Sequence, residues 1–390
     1  MRIAIVGYGT AGQAAAIFLA RDGHAIEMFE RSAELKPVGA GFLLQPTGLG
    51  VLAALGLRDA AIASGARIER LHGANAASRM VMDMLYADHA PDSFGLGMTR
   101  GALFSLLHHE CLPAARIRTG VRIGAIAENG RGIVDDAGIE YGPYDLIVAA
   151  DGTNSTLRAA SGLGNREPLY PWGAIWCLLP AEDWPHAADL RQRYAGTRTM
   201  LGVLPVGVHP DADNGRRWLT FYYSLPGDRV DTFDAQALDG LQRDVVALWP
   251  ELAERTRPLT EPTQFNRARY RDVVLRKPWR DRTVFIGDSA HGMSPQLGQG
   301  VNMALLDAQA LAAALREHDD LERALAQYAR LRETHVAIYQ ALSRWLTPLF
   351  QSDHAALALV RDAAFGPFGR LPFARRQMLK ILTGTKTGWW

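Results

Sequence analysis

The run Gly7-Tyr8-Gly9-Thr10-Ala11-Gly12 constrains the fold more than any other stretch, because it follows directly on the apolar segment Ile3-Ala4-Ile5-Val6. Residues 2–6 read as a buried strand, 7–12 as a glycine turn, 13–22 as an alanine-rich helix and 25–30 as a second strand. Together they make a β-α-β unit. In that context the glycines allow a tight turn and the close approach of a pyrophosphate, while the helix N-terminus supplies free N–H groups and the positive end of its dipole. Glu30, which closes the second strand, can hold ribose hydroxyls, and a carboxylate there disfavours a 2′-phosphate. Gly7, Gly9, Thr10, Ala11, Gly12, Glu30 and Arg31 are therefore candidate nucleotide-binding residues. Taken alone, Glu30 also fits a solvated strand end.

At 390 residues the chain exceeds the size at which one core usually stops growing, so two domains or one elaborated domain is expected. The 42 basic residues almost balance the 41 acidic ones, which argues against a nucleic-acid partner. Only Cys111 and Cys177 are present, without metal-ligand spacing, so neither a disulfide framework nor a metal site is expected and a reducing cytoplasm fits best. No apolar run reaches the roughly 18 residues of a membrane span, and the short N-terminal apolar run is no signal sequence, so the chain is expected to start at Met1 as a strand.

Further along, a Gly-rich stretch from Val38 to Leu57 leads through Pro46 into a short helix, and 68–86 reads as two strands joined near Ala77-Ser78. Helical spacing returns at 100–112, 121–141 reads as a β-meander, and the apolar run Asp145 to Ala150 suits a central parallel strand. Residues 170–180, 200–208 and 216–225 read as a mostly antiparallel sheet. Asp213-Asn214-Gly215 is its strongest hairpin signal. A helix at 234–248 follows, then a buried strand from Arg282 to Ile286, then long helices over 301–345 that end before Thr347-Pro348. The simplest architecture is an α/β nucleotide domain interrupted by a sheet domain, with a helical C-terminus.

Two more segments carry candidate chemistry. After the strand 145–150 comes Asp151-Gly152-Thr153-Asn154-Ser155-Thr156-Leu157-Arg158, where Ser155 and Arg158 could approach a phosphate or ribose; plain helix capping by Asp151 or Asn154 is the stronger reading of these residues alone. Gly287-Asp288-Ser289-Ala290-His291 and Pro295-Gln296-Leu297-Gly298-Gln299-Gly300-Val301-Asn302 then place a carboxylate at a strand end and a glycine-flanked loop at a helix mouth. Such a helix end stabilises negative charge on a ligand, as on the N1/O2 edge of a reduced flavin, and Asp288 suits ribitol or ribose hydroxyls. A structural role is favoured for His291 over proton transfer. Asn302 and Asp307 fit helix-face residues equally well.

Together these segments resemble the FAD-dependent aromatic monooxygenases of the para-hydroxybenzoate hydroxylase type, along most of the chain. The run 145–158 is similar to that family's Asp-Gly motif, and 287–308 to its Gly-Asp motif and flavin-facing loop; Ser289 stands where the family usually carries alanine. The resemblance implies a Rossmann-like FAD domain of the glutathione-reductase type over 1–70, 98–160 and 275–335. It further implies a substrate-binding sheet domain over 71–97 and 161–274, and C-terminal helices over 336–390. It places Arg100 at the FAD phosphates and Gln45 beside the flavin, and adds Asp151, Asp288, Pro295, Gly298, Gln299, Gly300, Val301 and Asn302 to the candidate cofactor residues. No side chain stands out as a catalytic acid or base; the loop with Pro295, Gly298 and Gly300 assists a reaction carried by the flavin.

The implied cofactor is tightly bound, non-covalent FAD. No second G-x-G-x-x-G opens a later helix, so NAD(P)H is expected to bind transiently in a groove near the flavin. The implied reaction is hydroxylation of a small, largely apolar aromatic or heteroaromatic substrate with O2 through a flavin C4a-hydroperoxide. Trp172, Trp176, Phe221 and Tyr223 are candidates for the pocket wall, although alternate strand residues are more often core; Tyr222 is expected to point elsewhere. Rival readings are a same-fold flavin reductase or dehydrogenase acting without O2, and a non-catalytic nucleotide-binding carrier. A halogenase is disfavoured because Trp172 and Trp176 do not form its Trp-x-Trp-x-Ile-Pro motif. The basic, apolar segment Arg370 to Lys386 fits a packed terminal helix better than a membrane contact, and Trp389 and Trp390 carry no readable motif.

Overall fold

The computed structural model of the chain describes residues 1–36, 41–164, 167–209 and 215–389. Val38, Asp213, Asn214 and Trp390 lie outside them, and with them the expected hairpin turn.

A six-stranded sheet runs in the order Trp279–Arg280, Thr283–Phe285, Leu146–Ala149, Arg2–Val6, Ala25–Glu30, Arg116–Thr119. All neighbours are parallel except the Trp279–Arg280 edge. Ile147, Val148 and Ala149 are inaccessible to solvent, because parallel strands are covered on both faces. On one side lie helices Thr10–Arg21, Arg100–Cys111 and Gly300–Glu317. Ala14, Ala15 and Ala16 are buried there, and their small side chains let the first helix lie close to the sheet and to helix Gly300–Glu317. The other face carries the meander Ile123–Ile126, Ile133–Asp135, Glu140–Tyr141.

The second sheet has seven strands in the order Asn266–Arg271, Leu169–Pro180, Arg217–Pro226, Thr199–Val208, Asp189–Ala195, Arg70–Asn75, Met80–Leu85. It is antiparallel except where Asp189–Ala195 runs parallel to Arg70–Asn75. Asp189–Ala195 was not anticipated, since Arg191, Gln192 and Arg193 interrupt any apolar pattern; pairing on both edges holds it in place. Helices Ala235–Leu248 and Pro250–Thr256 cover one face of this sheet.

A small third sheet, Gly41–Leu44, Gly95–Thr99 and Ala66–Ile68, joins the two bodies. The expected domain boundary at 97/98 falls inside its central strand. Backbone meets backbone here, for a Cβ on Gly97 would lie 1.9 Å from the Pro205 carbonyl oxygen. Three helices, Leu321–Phe350, Ala355–Phe368 and Pro372–Leu382, complete the chain. The first continues through Pro348 rather than stopping before it; the proline lies two residues from the helix end and removes only the bond that its N–H would make to the Arg344 carbonyl. Thr347 Oγ1 donates to the Ser343 carbonyl at 2.6 Å in the same turn. Among the described residues no helix is long and apolar enough to cross a membrane.

Substituting Gly97→Ala forces the small sheet away from Pro205. The expected cost is about 1–3 kcal/mol, read as a lower thermal midpoint, whereas Gly130→Ala, whose Cβ would meet open space, is expected to cost less despite its positive φ.

Candidate active site

The first strand ends at Gly7, whose φ of +107° and whose approach to Ala150 exclude a side chain: a Cβ would sit 2.3 Å from the Ala150 oxygen. Gly12 is equally constrained, with a Cβ position 2.1 Å from the Gly7 oxygen. Gly9 differs, since its Cβ direction meets nothing within 4 Å and the turn is open to an incoming group there. Helix Thr10–Arg21 begins without a side-chain cap and with no acidic residue in its first turn, which leaves its end positive. Glu30 is held at the mouth of this turn by the N–H groups of Tyr8 and Ser32, each at 2.9 Å, and Arg31 beside it is exposed.

Asp151 follows the central strand, and its Oδ2 accepts the Thr156 N–H at 2.9 Å, so the capping reading describes this oxygen; Oδ1 is buried without a partner. Arg158 is engaged within the protein. It is 1% exposed, and donates to Glu167 at 2.7 Å, to the Ser289 carbonyl at 2.9 Å and to the Thr153 carbonyl at 2.7 Å. The arginine therefore fastens the second motif to the third.

At the third motif Gly287, with φ of +62°, turns the chain so that Asp288 is exposed beside Thr153, whose hydroxyl donates to it at 3.3 Å. The buried carboxylate is Asp307. It accepts the Gly287 N–H at 2.7 Å, and pairs with His291 at 2.5 Å and Arg332 at 2.6 Å. Burial alone would raise its pKa, but the two cationic-type partners and the backbone N–H hold it well below the usual carboxylate range. His291 is buried against this carboxylate through Nε2, while its Nδ1 is buried without a partner.

Pro295–Leu297 forms a single tight turn, Gly298 takes φ of +61°, and helix Gly300–Glu317 starts with no side-chain cap. This second uncapped helix end leaves the N–H groups near Gly300 and Val301 open. The Asn302 side chain is engaged within the protein, for its Oδ1 accepts the Gln45 N–H at 2.8 Å and its Nδ2 donates to the Gly298 carbonyl at 3.1 Å. A Cβ on Gly48 would fall 2.3 Å from that Oδ1. Gln45 accepts the Tyr86 hydroxyl at 2.7 Å, and its Nε2 is buried with no partner. Arg100 is exposed at the start of helix Arg100–Cys111, behind the Thr99 cap.

The sheet aromatics divide by strand phase. Trp176 lies directly across from Tyr222, and Ile175 and Cys177 lie across from Tyr223 and Phe221. Phe221 and Tyr223 pack into the core beneath helices Ala235–Leu248 and Pro250–Thr256, so they do not line the cleft. Tyr222, expected to point elsewhere, lies on the opposite face of this strand: its hydroxyl donates to the Gly41 carbonyl, and Thr220 accepts the Gly41 N–H at 3.2 Å. Burial raises the phenols of Tyr222 and Tyr270, with Arg100 opposing, so both remain protonated. Trp172 and Trp176 share the Tyr222 face.

A model of an FAD binding domain matches residues 1–339. The chain belongs to the FAD-binding aromatic monooxygenase family. It is 27% identical over 406 residues to a 6-methylpretetramide 4-monooxygenase of Streptomyces rimosus, covering 99% of this chain and 93% of that one. It is 30% identical over 380 residues to a kynurenine 3-monooxygenase of Salinispora arenicola, covering 88% and 78%. Among solved structures it is similar to Klebsiella pneumoniae HpxO complexed with FAD and uric acid, with a TM-score of 0.82 at 20% identity over 98% of this chain and 96% of that one. Pseudomonas aeruginosa PqsL, a probable FAD-dependent monooxygenase, matches with a TM-score of 0.79 at 22% identity over 94% and 99%. The chain is thus an FAD-dependent oxidoreductase of the monooxygenase type.

Because Asp307 ionises more readily folded than unfolded, the native state binds fewer protons there. Its stabilisation is present above the unfolded carboxylate value, about 3.9, and is lost as pH falls below it. Urea unfolding between pH 7 and pH 3 is expected to show this loss in the wild type. Asp307→Asn should be less stable by about 3–5 kcal/mol at pH 7 and depend less on pH at the acid end.

Proposed function

We propose that this chain hydroxylates a small, neutral, aromatic or heteroaromatic ring held between the Pro295–Gly300 loop and the sheet face that carries Trp176, Tyr222 and Tyr270. The observation that carries this reading is the chemistry of that face. Trp176, Leu178, Leu204, Thr220, Tyr222 and Ala268 share it, and none is charged. Such a wall favours apolar area with a few fixed hydrogen bonds. A kynurenine 3-monooxygenase and an FAD-dependent urate hydroxylase among the relatives are consistent with a ring substrate.

The residues present fit FAD, as the buried, unpartnered Gln45 Nε2 and the open approach at Gly9 indicate. N–H groups around Gly9, Thr10 and Ala11 would receive the pyrophosphate, with Arg31 and Arg100 as nearby cations. Glu30 would hold the adenosine ribose and Asp288 the ribitol. The open end of helix Gly300–Glu317, with Gly298 and Gln299 before it, would face the ring system, and Gln45 Nε2 would donate to it. Bound FAD supplies the redox chemistry, taking a hydride from reduced nicotinamide and activating O2 for transfer of one oxygen atom.

The chain's own work is orientation and exclusion of water. Tyr270, kept protonated, can donate one hydrogen bond to a substrate hydroxyl, carbonyl or ring nitrogen; Tyr222, whose proton goes to the Gly41 carbonyl, can accept one from a substrate hydroxyl or N–H, while Trp176 packs on the ring face. The uncapped helix end stabilises negative charge that develops on the reduced cofactor. Pro295 has no N–H to offer and fixes the loop's entry.

The purified protein is expected to be yellow, and Asp288→Ala to lose most bound FAD while keeping its circular dichroism; full retention of FAD would remove Asp288 from the site. Substrate-stimulated NAD(P)H oxidation should consume O2 in equal amount. Reduction without oxygen uptake would instead indicate a reductase. Tyr270→Phe is expected to raise KM for substrate roughly tenfold, the effect of about 1.4 kcal/mol, and to leave FAD binding unchanged.

A further inference from the structure

The segment at and after the end of helix Pro372–Leu382 contacts the Pro295–Asn302 loop. Helix Pro372–Leu382 gives way to Thr383, and Gly384 turns with φ of +82°. Gln299 Nε2 donates to the Leu382 carbonyl at 2.8 Å, and Thr47 Oγ1 donates to the Thr383 carbonyl at 3.3 Å. Tyr339 adds a bond to the Ile381 carbonyl at 2.9 Å. A Cβ on Gly384 would lie 2.3 Å from Thr47 Oγ1, so both the φ and the contact demand glycine.

A second set of bonds leads inward from the same turn. His335 Nε2 lies 3.0 Å from the Gly384 oxygen, and its Nδ1 lies 2.9 Å from Arg332 Nη1. A guanidinium only donates, so Nδ1 accepts, and the neutral ring gives its Nε2 proton to Gly384. Burial and the adjacent Arg332 lower the His335 pKa to about 4, in keeping with that tautomer. Arg332 continues to Asp307, and Asp307 to the Gly287 N–H. One polar path therefore joins the C-terminal turn to the strand end that presents Asp288. Thr383, Gly384, Thr385 and Lys386 have little apolar surface, so hydrogen bonds hold this turn in place.

We propose that the Thr383–Lys386 turn is a mounting element of the flavin-facing loop, and that His335 is the positioning residue coupling it to Asp307. Closure of the ring end of the site then depends on the C-terminus of the chain. This rests on the reading of residues 295–302 given above as the segment facing the flavin.

The test compares wild-type holoenzyme with His335→Ala and His335→Gln. The glutamine amide can still donate to Gly384 and accept from Arg332. Two quantities are measured: hydrogen exchange of the 296–303 amides, and hydroxylated product formed per NAD(P)H consumed. His335→Ala is expected to speed exchange of the loop at least tenfold and to halve the product yield, with FAD retained; His335→Gln should restore both. Unchanged exchange in His335→Ala, or a glutamine variant as impaired as the alanine one, would overturn the proposal. Should His335→Ala fail to fold, Thr47→Val decides instead, since it removes one bond to the turn from a partly buried position. Threefold faster loop exchange supports the mount, and no change refutes it. If the protein binds no FAD, the flavin reading fails by itself, while loop exchange still reports on the mount.

Discussion

A carboxylate with no access to water fixes the geometry of everything around it, and in this protein that carboxylate is Asp307. Removing a charge from water costs several kcal/mol unless partners replace the lost solvation. Asp307 therefore requires the Gly287 N–H, His291 and Arg332 simultaneously. These partners come from the end of a parallel strand, the short helix after it and the long C-terminal helix. Satisfying one buried charge thus sets where the strand end lies, which way Asp288 faces and how helix Leu321–Phe350 is seated.

The flavin chemistry of this family sets demands that the fold meets with uncapped helices. The pyrophosphate in the middle of the dinucleotide, and the ring at one end when reduced, need N–H donors that are already in place and free of competing side chains. Helices Thr10–Arg21 and Gly300–Glu317 both begin without a side-chain cap, while Thr99, Ser155, Asp234 and Asp320 cap other helices of the molecule. Other helices, Pro46–Ala54 and Pro372–Leu382 among them, also lack a side-chain cap, and what sets these two apart is that their N-termini border the glycine loops. In the function proposed above, the uncharged sheet face with Trp176 and Tyr222 would complete the enclosure from the opposite side, where excluding water matters as much as binding.

Much of this was legible locally. The first β-α-β unit, the central apolar strand and the Gly-Asp turn each depend on residues adjacent in sequence, so spacing alone identifies them. The sheet wall was read in the wrong phase at Phe221 and Tyr223, because alternation separates two faces without naming which one meets the second domain. Tyr222 could have been placed only by knowing that Gly41 lies above it. Asn302 shows the same limit from a helix: its position looks like an ordinary helical face, yet its partner is Gln45, far away in sequence. Arg158 looks like a phosphate ligand beside a glycine turn, and Glu167 with the Ser289 carbonyl claims it. In each case the deciding partner is remote, and no local pattern encodes it.

The two ends of the site are held by different kinds of contact. At the adenosine end, Gly7 lies against the Ala150 backbone and Gly12 against Gly7, so displacement meets hard-sphere repulsion and the turn has one conformation. At the ring end the loop is suspended by side chains: Asn302 on Gln45, Gln299 on Leu382, His335 on Gly384. Each such bond is worth about 1 kcal/mol net, so single bonds can open and close while the dinucleotide's far end stays fixed. A monooxygenase must admit reduced nicotinamide and substrate to the ring and then shut water out. A rigid anchor at one end and a hydrogen-bonded suspension at the other allow both states without unfolding either domain.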